Sequence, residues 1–133
     1  MTINHSDVTW IGTHLGITNE KGGLEESQLQ HHTVVNVSEE GRNPSADIFA
    51  PLSLFSIKKS SLIKLTDVIN ERIKSDNPKN KIVIHDELGT ERCGLVAAWL
   101  VHTFNSISLD EAYELVIQKR PSVVNYLKWI EWD

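Results

Sequence analysis

Hydrophobic and polar positions along this chain show two patterns, a spacing typical of helices and a short continuous run typical of buried strands. Residues 82–84 form an unbroken β-branched run, which predicts a central strand covered on both faces. Apolar residues then recur at helical spacing in an earlier segment, which predicts a helix from an N-cap at Ser60 or Ser61 to about Lys74. Residues 93–104 are apolar on nearly every side and predict the most buried helix.

Local signals predict the remaining elements. Ser108-Leu109-Asp110-Glu111 has the spacing of a capping box and predicts a further helix, which Arg120-Pro121 ends. Residues 123–132 predict a last short helix, whereas the breaker-rich residues 38–45 predict a loop. The paired glycines of residues 19–23 predict a turn. Alternating helices and strands predict an α/β domain with a mostly parallel central sheet flanked by helices.

Length and composition set the outer bounds of the fold. A chain of 133 residues suits one domain spanning residues 1–133. Hydrophobic residues at 40% and charged residues at 23% exclude disordered and fibrous classes. We expect no membrane span, and Met1-Thr2-Ile3-Asn4 lacks the charged and apolar start of a secretory signal. The single cysteine, Cys93, cannot form an internal disulfide, so a cytoplasmic location is predicted.

The charge pattern narrows the expected partners. Thirteen Lys and Arg against eighteen Asp and Glu give a net charge of −5, and the basic residues are scattered, so nucleic acid is not an expected partner. The pairs Lys58-Lys59 and Lys119-Arg120 are predicted to be solvated. His31-His32 is predicted to be surface, because adjacent helical residues do not face one metal ion. No metal or other cofactor is predicted.

The segment from residue 81 to 94 reads as a buried strand, a short loop and the start of the apolar helix. A loop that enters a helix N-terminus directs unpaired N–H groups and the positive end of the helix dipole at one point, which suits a phosphate or a carboxylate. Gly89 permits a tight turn there, and Arg92 offers a planar fork of donors that matches two oxygens of a phosphate. We call residues 85–92 the cradle.

These residues resemble the signature of the cysteine-dependent protein phosphatases, which is His-Cys, five residues, then Arg. The match covers His85, Gly89 and Arg92, but Asp86 stands where that family has its nucleophilic cysteine and Cys93 replaces the usual hydroxyl residue. The resemblance implies that Arg92 would hold phosphate and that His85 would support the loop. It also implies phosphate-binding backbone amides along the loop residues, which are Glu87, Leu88, Gly89, Thr90 and Glu91.

The order of elements resembles the small dual-specificity phosphatases along nearly the whole chain. Residues 9–12 are similar to their opening strand, 24–32 to a helix, 33–37 to the second strand and 49–52 to the strand before their general acid. That family has an acidic residue just after this strand, but here Ser53 begins a Ser-Leu-Phe-Ser run without a carboxylate. The resemblance implies the protein-tyrosine-phosphatase fold, and the general acid is missing.

The substitution at position 86 decides what chemistry the cradle supports. A carboxylate is a weak nucleophile toward phosphorus, and known aspartyl-phosphate chemistry relies on a metal. One like charge at about 4 Å costs about 4 kcal/mol at an effective dielectric of about 20, and a phosphate monoester brings nearly two charges against Asp86. We therefore predict that Asp86 itself accepts the loop amides and the Arg92 guanidinium, which would fill the cradle from within.

The leading prediction is a catalytically inactive dual-specificity-phosphatase-like protein, a pseudophosphatase, that acts as a binding or scaffold module. Its protein partner is unknown, and a phosphoprotein is one candidate. One alternative is a metal-assisted phosphoester hydrolase with Asp86 as nucleophile, and another is an active phosphatase whose cysteine at this position was replaced by aspartate. A plainer interpretation, in which Asp86 only stabilises a helix N-terminus beside an exposed Arg92, also stays open. So do the oligomeric state and the role of Trp129 and Trp132.

Overall fold

The structure is a computed structural model that describes residues 7–39, 43–53, 56–74 and 81–132. The expected absence of a leader at Met1-Thr2-Ile3-Asn4, the middle of the predicted 38–45 loop and the Leu-Phe pair that follows Ser53 lie outside the described residues. The strands are β1 (Thr9–Trp10), β2 (Leu15–Thr18), β3 (Thr33–Asn36), β4 (Ile48–Phe49), β5 (Ile57–Lys58), β6 (Ile82–His85) and β7 (Ile130–Glu131). The helices are α1 (Glu20–Leu29), α2 (Lys59–Lys74), α3 (Arg92–Asn105) and α4 (Leu109–Lys119).

The main sheet has five strands in the order β1-β2-β6-β3-β4. The β-branched strand β6 lies at its centre with all four residues buried, and it pairs in parallel with β2 and β3. In this register Thr18 and Asn36 both lie opposite His85, so the last residues of three strands meet at one edge of the sheet. The predicted α/β architecture with a mostly parallel sheet is confirmed. Among the described strands, β1 alone pairs antiparallel.

The two helices that follow the central strand form as predicted. Residues 92–101 of α3 are all buried, which makes α3 the best covered helix of the described chain. Ser108 caps α4, because its hydroxyl oxygen accepts a hydrogen bond from the Glu111 amide at 3.1 Å. Helix α2 begins at Lys59, directly after β5 and before both predicted N-caps, so Ser60 and Ser61 lie in its first turn. No helix within the described ranges is long and apolar enough to cross a membrane.

The predicted turn at residues 19–23 is wrong, because this segment begins helix α1. Asn19 is the N-cap and its side-chain oxygen accepts a hydrogen bond from the Gly22 amide at 2.8 Å. The glycines persist inside the helix because they let α1 approach the sheet closely. A Cβ at Gly22 would lie 2.0 Å from Thr18 Oγ1, and one at Gly23 would lie 2.2 Å from Cδ2 of His85. Close packing outweighs the low helix propensity of glycine here.

The predicted helix at residues 123–132 is also wrong. A single 3-10 turn spans Leu127–Trp129, and Ile130–Glu131 then forms strand β7, which pairs in parallel with β5. Extended pairing with β5 buries Ile130 and ends the turn after three residues. The rings of Tyr126 and Trp129 stack with centroids 4.0 Å apart, whereas Trp132 stays 60% exposed beside the buried Trp99.

Candidate anion-binding loop

Asp86 is the first residue after the central strand, and its side chain is completely buried. One carboxylate oxygen, Oδ1, accepts a hydrogen bond from the Gly89 amide at 2.5 Å. The other, Oδ2, accepts hydrogen bonds from the amides of Glu91 at 3.3 Å and Cys93 at 3.2 Å. Three backbone donors of the cradle and of the first turn of α3 therefore converge on the oxygens of this one side chain.

The carboxylate also caps α3 from a distance. Glu91 occupies the N-cap position, but its side chain accepts no capping hydrogen bond. The first N–H groups of a helix lack partners within the helix, and the positive end of its dipole favours a negative charge there. Asp86 meets both needs, so it does in this fold what a bound anion does at other helix N-termini.

Arg92 is buried, with 4% of its surface exposed, which contradicts the interpretation of an exposed arginine. Its Nη1 donates a hydrogen bond to the carbonyl oxygen of Leu52 at 3.3 Å. Leu52 is the residue before Ser53, so the guanidinium joins α3 to the segment where the resemblance would have a general acid. The predicted bond between Arg92 and Asp86 remains a prediction.

The cradle backbone is held from outside by three separate elements. The Glu87 carbonyl accepts a hydrogen bond from the Glu20 amide at 3.1 Å, and the Thr90 carbonyl accepts one from the Val124 amide at 2.9 Å. Gly89 adopts a φ of +76°, which glycine tolerates and other residues rarely adopt. Its carbonyl accepts a hydrogen bond from Nε of Arg120 at 2.8 Å. These hydrogen bonds hold the loop conformation, although Leu88 at its tip is 58% exposed.

Arg120 corrects the prediction that the basic pair at 119–120 is solvated. Lys119 is exposed, but Arg120 is buried, with 9% of its surface exposed. Its Nη1 donates to the Asp7 carbonyl at 2.8 Å and to Thr9 Oγ1 at 2.9 Å, and its Nη2 forms an ion pair with the Asp7 carboxylate. One guanidinium thus ties the cradle to the first described residues. Sequence reasoning missed this role because Asp7 and Thr9 are more than a hundred positions from Arg120.

His85 supports the cradle from below. Its ring is fully buried, with Nδ1 3.1 Å from the Asp86 carbonyl oxygen and Nε2 3.1 Å from the side-chain nitrogen of Asn43. A carbonyl oxygen only accepts and an amide NH₂ only donates, so the arrangement requires a neutral ring protonated at Nδ1. The same Asn43 nitrogen donates to Ser27 Oγ at 3.0 Å. The sequence held no signal for Asn43, which lies in the breaker-rich loop.

Burial of the imidazole lowers the pKa of His85 below its ordinary 6.5, although the nearby Asp86 and Glu20 oppose this. The unfolded chain therefore binds a proton at this site more readily, and stability that is complete above about pH 6.5 is lost as the pH falls below it. The expected slope is at most about 1.4 kcal/mol per pH unit. Urea unfolding between neutral and mildly acidic pH measures this slope.

The direct readout is the NMR titration of the His85 ring. A His85 ring that titrates at or above pH 6.5, or that carries its proton on Nε2, would contradict the assignment.

Cys93 cannot replace the missing nucleophile. The thiol is completely buried, and burial together with the negative charge of Asp86 raises its pKa well above the ordinary value. The Cys93 backbone amide donates to the Asp86 carboxylate, so the thiol lies beside a buried negative charge. A neutral thiol is a poor nucleophile, and this one has no access to solvent.

The outer rim of the cradle is negative and aromatic. The Tyr126 hydroxyl donates to Glu91 Oε2 at 3.4 Å. Desolvation, then Glu91, and more weakly Asp86 raise the pKa of Tyr126. Ser53 is exposed and lies just after Leu52, whose carbonyl binds Arg92. Within the described ranges no three His, Cys, Asp or Glu side chains are grouped as metal ligands.

Of the known proteins compared with this chain, those that match are solved structures. No protein-family model matches the chain, and no curated protein matches it. Solved structures match over nearly the full length. Human DUSP28 has a TM-score of 0.78 at 16% identity, covering 97% of this chain and 91% of that one. Tk-PTP in its active form has a TM-score of 0.76 at 20% identity, covering 92% and 90%.

A third match is the human tyrosine phosphatase-like serine/threonine/tyrosine-interacting protein. Its TM-score is 0.74 at 10% identity, and the match covers 94% of this chain and 91% of that one. Identities this low concern the fold alone. The chain has the protein-tyrosine-phosphatase fold of the dual-specificity type, which confirms the fold that the resemblance implied.

Proposed function

We propose that this chain is a catalytically inactive relative of the dual-specificity phosphatases and acts as a binding or scaffold module. The observation that carries the proposal is the set of hydrogen bonds from the Gly89, Glu91 and Cys93 amides to the Asp86 carboxylate. In an active enzyme of this type these donors would serve the phosphoryl oxygens. Here the side chain that replaces the nucleophile already occupies them.

Charge and chemistry support the same conclusion. A phosphoryl group entering the cradle would meet a buried carboxylate, and each like charge at about 4 Å costs about 4 kcal/mol at an effective dielectric of about 20. A millimolar ligand gains only about 4 kcal/mol in total. Ser53 supplies no general acid, and the buried Cys93 supplies no thiolate. Binding and turnover of phosphoesters are both disfavoured.

A metal-assisted hydrolase with Asp86 as nucleophile is less well supported. The carboxylate is fully buried, and its attack on phosphorus would first require it to leave the three amides. A metal would have to draw ligands from the acidic residues Glu87 and Glu91, which lie at intermediate exposure around the loop. An introduced aspartate in an otherwise competent site is the other alternative, and activity measurements separate both from the proposal.

The test is hydrolysis of an aryl phosphate with and without Mg²⁺, by the chain itself and by Asp86→Cys. We expect no turnover by the chain in either condition. Asp86→Cys should turn over slowly, because the three amides would then be available but no general acid follows Leu52. The control is Asp86→Cys combined with Arg92→Ala, which should abolish that turnover.

Two outcomes would overturn the proposal. Mg²⁺-dependent turnover that Asp86→Asn abolishes would establish the hydrolase. Turnover by Asp86→Cys at the rate of an ordinary phosphatase would favour an enzyme with an introduced aspartate.

The partner is proposed to be a protein met in the cytoplasm, and no cofactor is invoked. A phosphoprotein remains a candidate only if its phosphate binds outside the cradle, because Asp86 occupies the donors within it. The exposed Leu88 and Val124 and the stacked Tyr126 and Trp129 lie around or near the loop and give a partner apolar contact surface.

A further inference from the structure

An apolar cavity of about 350 Å³ shares no lining residue with the cradle. It is bounded by the β1–β2 turn, the end of α2 and the second halves of α3 and α4. Leu15, which lines the cavity, pairs with Ile82 at the start of β6, whereas Asp86 follows the other end of that strand. The cavity and the cradle therefore lie at opposite ends of strand β6. A volume of roughly 300–1,000 Å³ is typical of small-molecule sites.

The wall of this cavity is mostly hydrophobic. Leu100 is fully buried, while Phe104 and Leu115 are 42% and 41% exposed at the mouth. Contact between large apolar side chains and water is unfavourable. A ligand that covers such side chains in a concave surface therefore gains binding free energy. A ligand with an apolar body would cover them.

The charge of the cavity selects among apolar ligands. The chain carries a net charge of −5, yet the described residues that line the cavity include Lys119 and no carboxylate. His14 is the other ionisable group there, and its Nδ1 lies 2.8 Å from Thr13 Oγ1. Lys119 is exposed beside the cavity, so it would repel a ligand cation and attract a ligand anion. An anionic group at the end of an apolar body satisfies both the ammonium and the hydrophobic wall.

We propose that this cavity binds a small amphipathic carboxylate, an aliphatic or arylaliphatic acid. Its apolar body packs against Phe104 and Leu115, and its carboxylate pairs with Lys119. The site does not depend on the proposed function of the cradle, since the two share no residue.

The experiment titrates the protein with 4-phenylbutyrate and, in parallel, with 4-phenylbutan-1-ol, and follows backbone amides by NMR. We expect shifts at Gly12, Thr13 and Asn105, which line the cavity, with the acid binding about fivefold more tightly than the alcohol because an exposed ion pair contributes up to about 1 kcal/mol. Lys119→Met keeps the apolar stem and should abolish the preference, whereas Lys119→Arg should retain it.

Lys128→Met is the matched control, because Lys128 is exposed and does not line the cavity. It should leave both affinities unchanged. Equal affinity for acid and alcohol, shifts confined to other residues, or no shifts at millimolar ligand would each overturn the proposal.

Discussion

Replacing Asp86 with Ser is expected to lower the free energy of unfolding by about 3 kcal/mol and to make the cradle bind free oxyanions. The substitution removes the acceptor of three amide hydrogen bonds and the negative charge at the N-terminus of α3. Each buried donor left without a partner costs about 1–3 kcal/mol, and entering water offsets part of that. The vacated donors would then suit tungstate or inorganic phosphate.

The measurement is thermal and urea unfolding with and without tungstate. A ligand that binds only the folded state raises its stability in proportion to the logarithm of ligand concentration. Tungstate should therefore stabilise Asp86→Ser and leave the parent chain unaffected. Asp110→Ser is the matched control, because Asp110 is an exposed acid in the first turn of α4, and its loss should cost under about 1 kcal/mol. Equal stabilisation of the parent chain by tungstate would show that its cradle is open.

Gly23→Ala is expected to destabilise the fold by about 2–3 kcal/mol. The new Cβ would lie 2.2 Å from the His85 ring, and the ring cannot yield easily because both its nitrogens are hydrogen-bonded. Either α1 moves away from the sheet or the ring loses the Asp86 carbonyl or Asn43. Urea unfolding measures the loss, and the NMR signals of the His85 ring report which contact gives way.

Gly12→Ala isolates the clash in that experiment. Both changes replace glycine by alanine, so both reduce the freedom of the unfolded chain similarly. A Cβ at Gly12 would meet nothing within 4 Å, and Gly12 is exposed. The difference between the two variants therefore measures close packing of α1. Similar stabilities for both would refute the close approach as the reason for glycine at position 23.

Elements whose signals are local could be predicted from the sequence. The strand β6 and the helix α3 each bury a continuous apolar run, and Ser108 with Glu111 forms the capping box within four residues. The same holds for the position of Asp86, because a strand followed by a loop and a helix places the loop at the helix N-terminus. That its oxygens bind Gly89, Glu91 and Cys93 required the structure.

Features that depend on distant contacts could not be predicted. The glycines of α1 oppose helix formation locally, and only the approach to Thr18 and His85 explains them. Strand β2 was not predicted in the poorly patterned first 30 residues, although it forms half of the pairing of β6. Arg120 reads as half of a basic pair until Asp7, Thr9 and Gly89 surround it.

The Asp86 carboxylate is an anion that belongs to the chain itself. Any dissolved anion must compete with it for the same amide hydrogen bonds. A tethered group competes at a fixed effective concentration that no dilution reduces, and it has already lost most of the motion that a free ligand must give up on binding. Because the loop carbonyls are clamped by Glu20, Arg120 and Val124, the attachment is short and stiff. Fluctuations in cellular phosphate should therefore leave this surface unchanged, and a partner would always meet it in the same state.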